Sequence, residues 1–302
     1  MPNDTSPFVT PPLLDRKTIR WPEVRVLEQT LTQHFCYDYP GPISDLTHQL
    51  MVKPRHAYGA QALLGFDHIV TPPLAVTEQF DAFGNSVLEI TATRLGARLE
   101  FAFQSSVTLL AGAAPLRLST QAITPFYAPT PLTGADARMT AVALELRRTY
   151  AGTLAFAAAL NEWVYKHMRY GFGATDTRTA AKDALSGGVG LCQDYAHIMI
   201  ALCRAAGVPA RYVSGHMLGE GGSHAWMEVL APERAGYVAY GFDPTNRRRP
   251  GFDYLTVAVG RDYSDVPPTA GTFSAPYGGV LSSSKQAGVT RVEYRGGEVV
   301  SA

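Results

Sequence analysis

Residues 186–207 read SGGVGLCQDYAHIMIALCRAAG. Ser186, Gly187, Gly188 and Gly190 would stop a short helix over 177–185. From Cys192 onward the stretch is apolar on nearly every side apart from its first turn and Arg204, and it ends at Gly207 with Pro209 beyond. A helix apolar all round is buried, so the spacing predicts a central helix over 192–206. A glycine-rich turn thus delivers one of only 3 cysteines to the first turn of a core helix.

At that place the unpaired backbone N–H groups and the positive end of the helix dipole favour a thiolate over a thiol. The same N–H groups can hold a developing oxyanion, and the glycines leave room for a substrate backbone to approach the sulfur. The competing reading of Cys192 is a small hydrophobe in a core, the usual fate of a free cysteine. Cys203, deep in the same helix, takes that second reading.

A nucleophilic thiol needs a base and a group that orients the base. The stretch SHAWMEVLAPERAGYVAYGFDPTN contains a strand from about His224 to Leu230, a turn through Pro232 to Gly236, and a return strand from about Tyr237 to Phe242. Folded as an antiparallel hairpin, it pairs positions whose numbers sum to about 467 or 468, so that His224 meets Asp243 or Pro244. Asp243 can then accept one imidazole N–H and leave the other nitrogen for Cys192.

The remaining histidines of this region have weaker geometry. His216 has no carboxylate placed opposite it and reads as a loop residue. His197 lies too far round the helix from Cys192 and reads as a packed core residue. A metal site built from Cys192, His197, His216 and His224 would match no compact zinc spacing, and neither an HExxH run nor an EF-hand loop occurs. No metal or cofactor is expected.

Away from this stretch the period changes. Residues 1–19 are proline-rich and read as a mobile tail. Between 20 and 125 the apolar residues alternate: Leu31, Gln33, Phe35, Tyr37 and Tyr39 share one side of a strand, and Leu46, His48, Leu50 and Val52 share one side of another. VTEQFDAFGNSVLEIT reads as a hairpin turning at Asp81, Gly84 and Asn85, and ARLEFAFQSSVTLL supplies a further strand. This antiparallel β domain clusters no titratable groups and reads as a scaffold or a substrate-gating module. After YAPTPLTGAD the period becomes helical, with Phe156, Leu160, Trp163, Val164 and His167 on one face and Thr153 as an N-cap after Gly152. The domain boundaries expected are therefore 1–19, 20–125 and 126–302.

Basic and acidic side chains balance at 26 each, so no global field draws in nucleic acid or an anionic membrane. Three separated cysteines without CxxC spacing, a polar N-terminus and the absence of a long apolar run point to a cytoplasmic location.

The motifs GGVGLCQDYAHIMIALCRAAGVPARYVSGH, HAWMEV and GFDPTN, together with VAVGRDYSDVPPTAGTF and the DAFGN of the first domain, resemble the transglutaminase-like superfamily, specifically bacterial proteins with an N-terminal β region. The resemblance spans about residues 20–295. It implies an α+β, papain-like core, with the cysteine helix against an antiparallel sheet, preceded by the β domain. It also implies Cys192 as nucleophile, His224 as general base and then acid, and Asp243 as orienting carboxylate. The reaction would be acyl transfer from an amide through a thioester, on a protein or peptide substrate.

Gln193 and Asp194 follow the cysteine where eukaryotic transglutaminases typically carry tryptophan, which favours a hydrolase, and with no dedicated calcium-binding loop in the sequence calcium activation is not carried over. Tyr170, Gln193 and Trp226 are candidates for substrate binding or the site wall, Trp226 equally for core packing and Tyr170 also as an oxyanion donor. Asp194 reads as a cap, and Arg261 with Asp265 as an ion pair behind the site wall. A transglutaminase that joins glutamine carboxamides to amines, and a non-catalytic interaction module, remain the alternatives.

Overall fold

The computed structural model describes Phe8 and residues 11–302. The helix Cys192–Ala205 lies at its centre, with every residue from Asp194 to Arg204 buried. It packs against the helices Ala137–Thr149, Thr153–His167 and Ala181–Gly187, and against the strands Ala210–Met217 and His224–Glu233. Those strands belong to a five-stranded antiparallel sheet whose order is Tyr254–Gly260, Ala210–Met217, His224–Glu233, Gly236–Phe242 and Arg117–Leu118. Since the helix meets neighbours all round, its apolar residues need no polar face.

Glycines end the preceding helix as expected: Gly188, at φ +66°, caps Ala181–Gly187. The next cap differs from expectation. Gly152, at φ +83°, is itself the N-cap of Thr153–His167, and Thr153 is the first helical residue. His167 also departs from the buried face and lies exposed, stacked on Trp163 at 3.9 Å.

The β region consists of a six-stranded and a four-stranded antiparallel sheet. Its long strand Val24–Asp38 is central to the larger sheet, pairing with Val280–Tyr294 on one side and Arg98–Leu110 on the other. Residues spaced by four on one side of this strand enter three different clusters. Leu27 joins Ile19, Leu218 and Val292; Leu31 joins the core around the cysteine helix; Phe35 joins Leu46, Leu88 and Phe101. One strand therefore ties the β region to the helical core. The hairpin around Asp81 forms as read, the Asp81 carboxylate accepting the N–H groups of Phe83 and Asn85 at 2.9 and 2.8 Å.

Two expected boundaries change. Strands Thr269–Ser274 and Val280–Tyr294 return to the β region and pair there with Ile43–Leu50 and Val24–Asp38, so the last part of the chain completes the first domain's sheets. The mobile tail expected through residue 19 is not what the structure shows at its inner end. Residues 1–7, 9 and 10 of it lie outside the described residues, but Leu14 N–H donates to the Val289 carbonyl at 2.8 Å and Ile19 is buried.

Two side-chain amides join the β region to the edge strand Tyr254–Gly260. Gln61 exchanges hydrogen bonds with the backbone of Thr256, and Asn85 does the same with Val259. Each amide supplies the donor and acceptor that a further strand would have offered. Beside them, Tyr58 closes a buried triangle with Arg211 and Glu228. No helix among the described residues is long and apolar enough to cross a membrane.

Candidate active site

The turn that presents Cys192 is built by its neighbours. Arg169 and Gly171 donate backbone hydrogen bonds to the carbonyls of Gly188 and Gly190 at 2.9 and 3.1 Å, which lays Tyr170 beside the turn. The Asp194 carboxylate then accepts the Leu191 N–H at 2.8 Å and the Thr175 hydroxyl at 2.6 Å. Asp194 is thus the cap expected of it. Burial pushes its carboxyl up, against the pull of those two donors. Gly190 is required here because a Cβ on it would lie 2.6 Å from Asp194 Oδ2. Cys192 and Gln193 are the first two residues of the helix, so their N–H groups have no intrahelical acceptor.

His224 opens the strand His224–Glu233, and the hairpin register differs from the expected one. The observed pairs, from Met227 with Phe242 to Glu233 with Gly236, sum to 469, because the turn is only Arg234 and Ala235. Position 243 therefore stands opposite Trp226, diagonal to His224 but on the same face of the sheet. The diagonal is short enough, since His224 Nε2 lies 2.8 Å from Asp243 Oδ2. A register one residue shorter would have turned Asp243 to the other face.

Asp243 is fully buried and its two oxygens are saturated. Oδ2 also accepts the Tyr254 hydroxyl at 2.6 Å and the Asn246 amide at 2.8 Å. Oδ1 takes the backbone N–H of Thr245 at 2.9 Å and of Asn246 at 3.2 Å. Burial would raise its pKa, but His224, Tyr254 and Asn246 hold it below the usual carboxylate value. Burial would likewise lower His224, yet its bonds to Asp243, Cys192 and Glu220 outweigh that and push it up to about 12. The arrangement favours an imidazolium with Nε2 fixed on Asp243 and Nδ1 turned to the cleft.

That cleft has a volume of about 710 Å³ and contains both Cys192 and His224. Tyr170 and Gln193 line it as well, so the structure brings them to the site. Gln193 donates to the Asp176 carbonyl at 3.3 Å. Trp226 does not reach the cleft. It lies buried with Tyr58, Val213, Met217 and Tyr254, its ring 6.2 Å from that of His224, and serves as the packing under the histidine. Arg261 and Asp265 form a bidentate ion pair, but at a different cavity, beside Phe83 and Phe126.

His216 is a buried strand residue instead of a loop histidine, its Nδ1 facing the Gly222 carbonyl at 3.3 Å. His197 is in the core as expected, its Nε2 accepting the Tyr263 N–H at 3.1 Å. Cys203 is fully buried, which pushes its thiol up to about 12.

Sequence reasoning missed Tyr254, Asn246, Tyr212 and Glu220. The first two were legible only in part: Asn246 comes closely enough after Asp243 for an Asx-type turn, whereas Tyr254 arrives on another strand. Tyr212 enters the cleft from the strand beside His224. Glu220, on the loop before His224, places Oε2 3.3 Å from Nδ1.

Comparison with known proteins agrees with this architecture. Residues 140–242 match the transglutaminase-like superfamily core, and residues 30–108 match the bacterial transglutaminase-like N-terminal region. A crystal structure of a candidate cysteine protease from Cytophaga hutchinsonii superposes with a TM-score of 0.69 at 21% identity, covering 89% of this chain and 99% of that one. An uncharacterized protein of Mycobacterium leprae is 35% identical over 156 residues, 48% of this chain and 54% of the relative. One from Mycobacterium tuberculosis is 38% identical over 120 residues, 36% of this chain and 38% of the relative. The chain thus spans about half, or less, of the curated relatives' length. The cysteine helix, the antiparallel sheet behind it and both matched regions make this chain a member of the transglutaminase-like superfamily, with a bacterial N-terminal β region ahead of its core.

Proposed function

We propose that the protein is a thiol hydrolase that cleaves an amide bond of a protein or peptide. The observation that carries the proposal is the single alignment of a thiol at a helix N-terminus, an imidazole in the same cleft, and a buried carboxylate 2.8 Å behind that imidazole. Cys192 Sγ attacks the amide carbonyl, and the first-turn N–H groups hold the oxyanion. His224 Nδ1 gives its proton to the departing nitrogen, which leaves a thioester on Cys192. His224, now neutral, takes a proton from water as that water attacks the thioester, and the acid product leaves with the thiol regenerated.

Hydrolysis is preferred over transfer to an amine because the cleft is open. Cys192 is half-buried, and Tyr170 and Phe172 at its rim are 50% and 81% exposed, so water reaches the acyl carbonyl.

The test is iodoacetamide labelling read by mass spectrometry, in wild type and in His224→Ala. Cys192 should label much faster than the buried Cys36 and Cys203, and lose that advantage in the variant. Labelling of Cys192 that ignores His224 would discard the hydrolase and bring forward an interaction module.

A further inference from the structure

We infer that Glu220 is a specificity determinant, selecting substrates that carry a positive charge on the departing side of the scissile amide. The inference rests on the hydrolase reading. Apart from the cysteine and histidine themselves, Glu220 is the one acidic or basic residue lining the cleft among the described residues, and no lysine or arginine among them lines it. Its only ion-pair partner among the described residues is His224.

That partner is lost during turnover. Once His224 Nδ1 has passed its proton to the departing nitrogen, the Glu220 carboxylate has lost its ion-pair partner, and the Arg16 guanidinium beside the loop, bonded to the Leu218 carbonyl, forms no ion pair with it. A cation on the departing fragment would replace the lost charge at the moment it is lost, which favours the transition state over the bound substrate.

The placement fixes the side. Glu220 Oε2 lies 3.3 Å from the nitrogen that must protonate the leaving group, so the leaving group's own substituent is brought to the carboxylate. Gly221 and Gly222 come next in the loop, and even a Cβ on either would meet nothing within 4 Å, so the approach is unobstructed. The exposed aromatic side chains of Tyr170 and Phe172 line the same cleft and have the chemistry to receive a cation. A lysyl-, arginyl- or other ammonium-bearing fragment has the required chemistry, whereas a carboxylate would be repelled.

The test needs no substrate. Cys192 is modified in parallel with two methanethiosulfonates of similar size, the cationic trimethylammonium-ethyl and the anionic sulfonatoethyl reagent, and the ratio of rates is normalised to that for free cysteine. We expect the wild-type ratio to exceed that of free cysteine by about tenfold or more at low salt. It should fall to the free-cysteine value in Glu220→Gln and survive largely in Glu220→Asp. A wild-type ratio equal to that of free cysteine, or a full ratio in Glu220→Gln, overturns the inference while a fast Cys192 leaves the hydrolase standing. If Cys192 reacts with either reagent no faster than Cys36 and Cys203, both readings fall.

Discussion

His224 and Asp243 meet at 2.8 Å although the ladder that should align them ends at Met227 and Phe242. The aspartate is therefore held by residues C-terminal to it: the backbone of Thr245 and Asn246, the Asn246 amide and the Tyr254 hydroxyl. A carboxylate so supported cannot rotate away when its partner changes charge, which is what an orienting group requires.

Asp243→Asn should therefore leave the fold in place and remove function. The amide preserves the shape but cannot accept from all five donors, and its NH₂ would oppose the imidazole N–H and favour the wrong tautomer. We expect a loss in kcat/KM on the order of 10⁴, the size seen when a triad carboxylate is neutralised, with a far-ultraviolet spectrum like the wild type's. Tyr254→Phe removes one of the five donors and should cost only about tenfold. Equal losses in both variants would show that the network acts as one unit.

Much of this site was legible in the sequence, and the limits have physical causes. A glycine run, an all-round apolar helix and a thiol at its first turn are local features, and so is a hairpin that returns an aspartate to a histidine. The register differs because turn length cannot be read from Pro232 and Gly236 alone. The difference does no harm because a slip of two from the sum of 467 preserves the face. The illegible part is long-range. Tyr254 and Glu220 take part through side-chain direction, and the strand Val280–Tyr294 shows nothing in its own pattern that assigns it to the partner strand Val24–Asp38 near the other end of the chain. His167 leaves the buried face since stacking on Trp163 and a bond to the Trp163 carbonyl satisfy it at the surface.

Stability should fall steeply in mild acid. Burial holds His48 and His197 down at about 4 and His216 at about 3, against 6.5 for an unperturbed imidazole. For a group whose folded pKa is depressed, the unfolded chain binds the extra proton. Stability is thus intact above about 6.5 and is lost as pH falls toward 4. Each histidine contributes a slope of up to about 1.4 kcal/mol per pH unit. His224 has the opposite sign. Its raised pKa stabilises fully below about 6.5 and fades as pH rises above it. Thermal unfolding between pH 4 and 9 should show a maximum near neutrality. His48→Asn should flatten the acid limb by one proton and leave the alkaline limb alone; an unchanged acid limb would mean that His48 is protonated in the folded protein.

Gly190→Ala should slow the reactions of Cys192 without touching it. The added Cβ would press on Asp194 Oδ2 and Cβ, at 2.6 and 2.8 Å, so the cap on Leu191 must shift. Overpacking of this kind costs about 1–3 kcal/mol, and the shift should carry Cys192 with it. We expect a lower Tm together with slower alkylation of Cys192. A variant destabilised to that extent with unaltered alkylation would separate the cap from the thiol.

The junction between β region and core makes the last prediction. Asn85 satisfies both the N–H and the carbonyl of Val259, at 2.9 and 2.7 Å, and Val259 is fully buried. In Asn85→Ala both backbone groups lose their partner at a place where water does not enter easily, a penalty of about 1–3 kcal/mol for each. Asn85→Asp keeps an acceptor for the N–H but sets a carboxylate against the carbonyl, so it should be no better. Gln61→Ala should behave similarly at Thr256. Because the long strand Val24–Asp38 runs through both parts, the loss should appear as one cooperative transition at a lower temperature, measured by calorimetry. Two separate transitions in Asn85→Ala would mean that the β region and the core fold independently and that the amide only fastens them together.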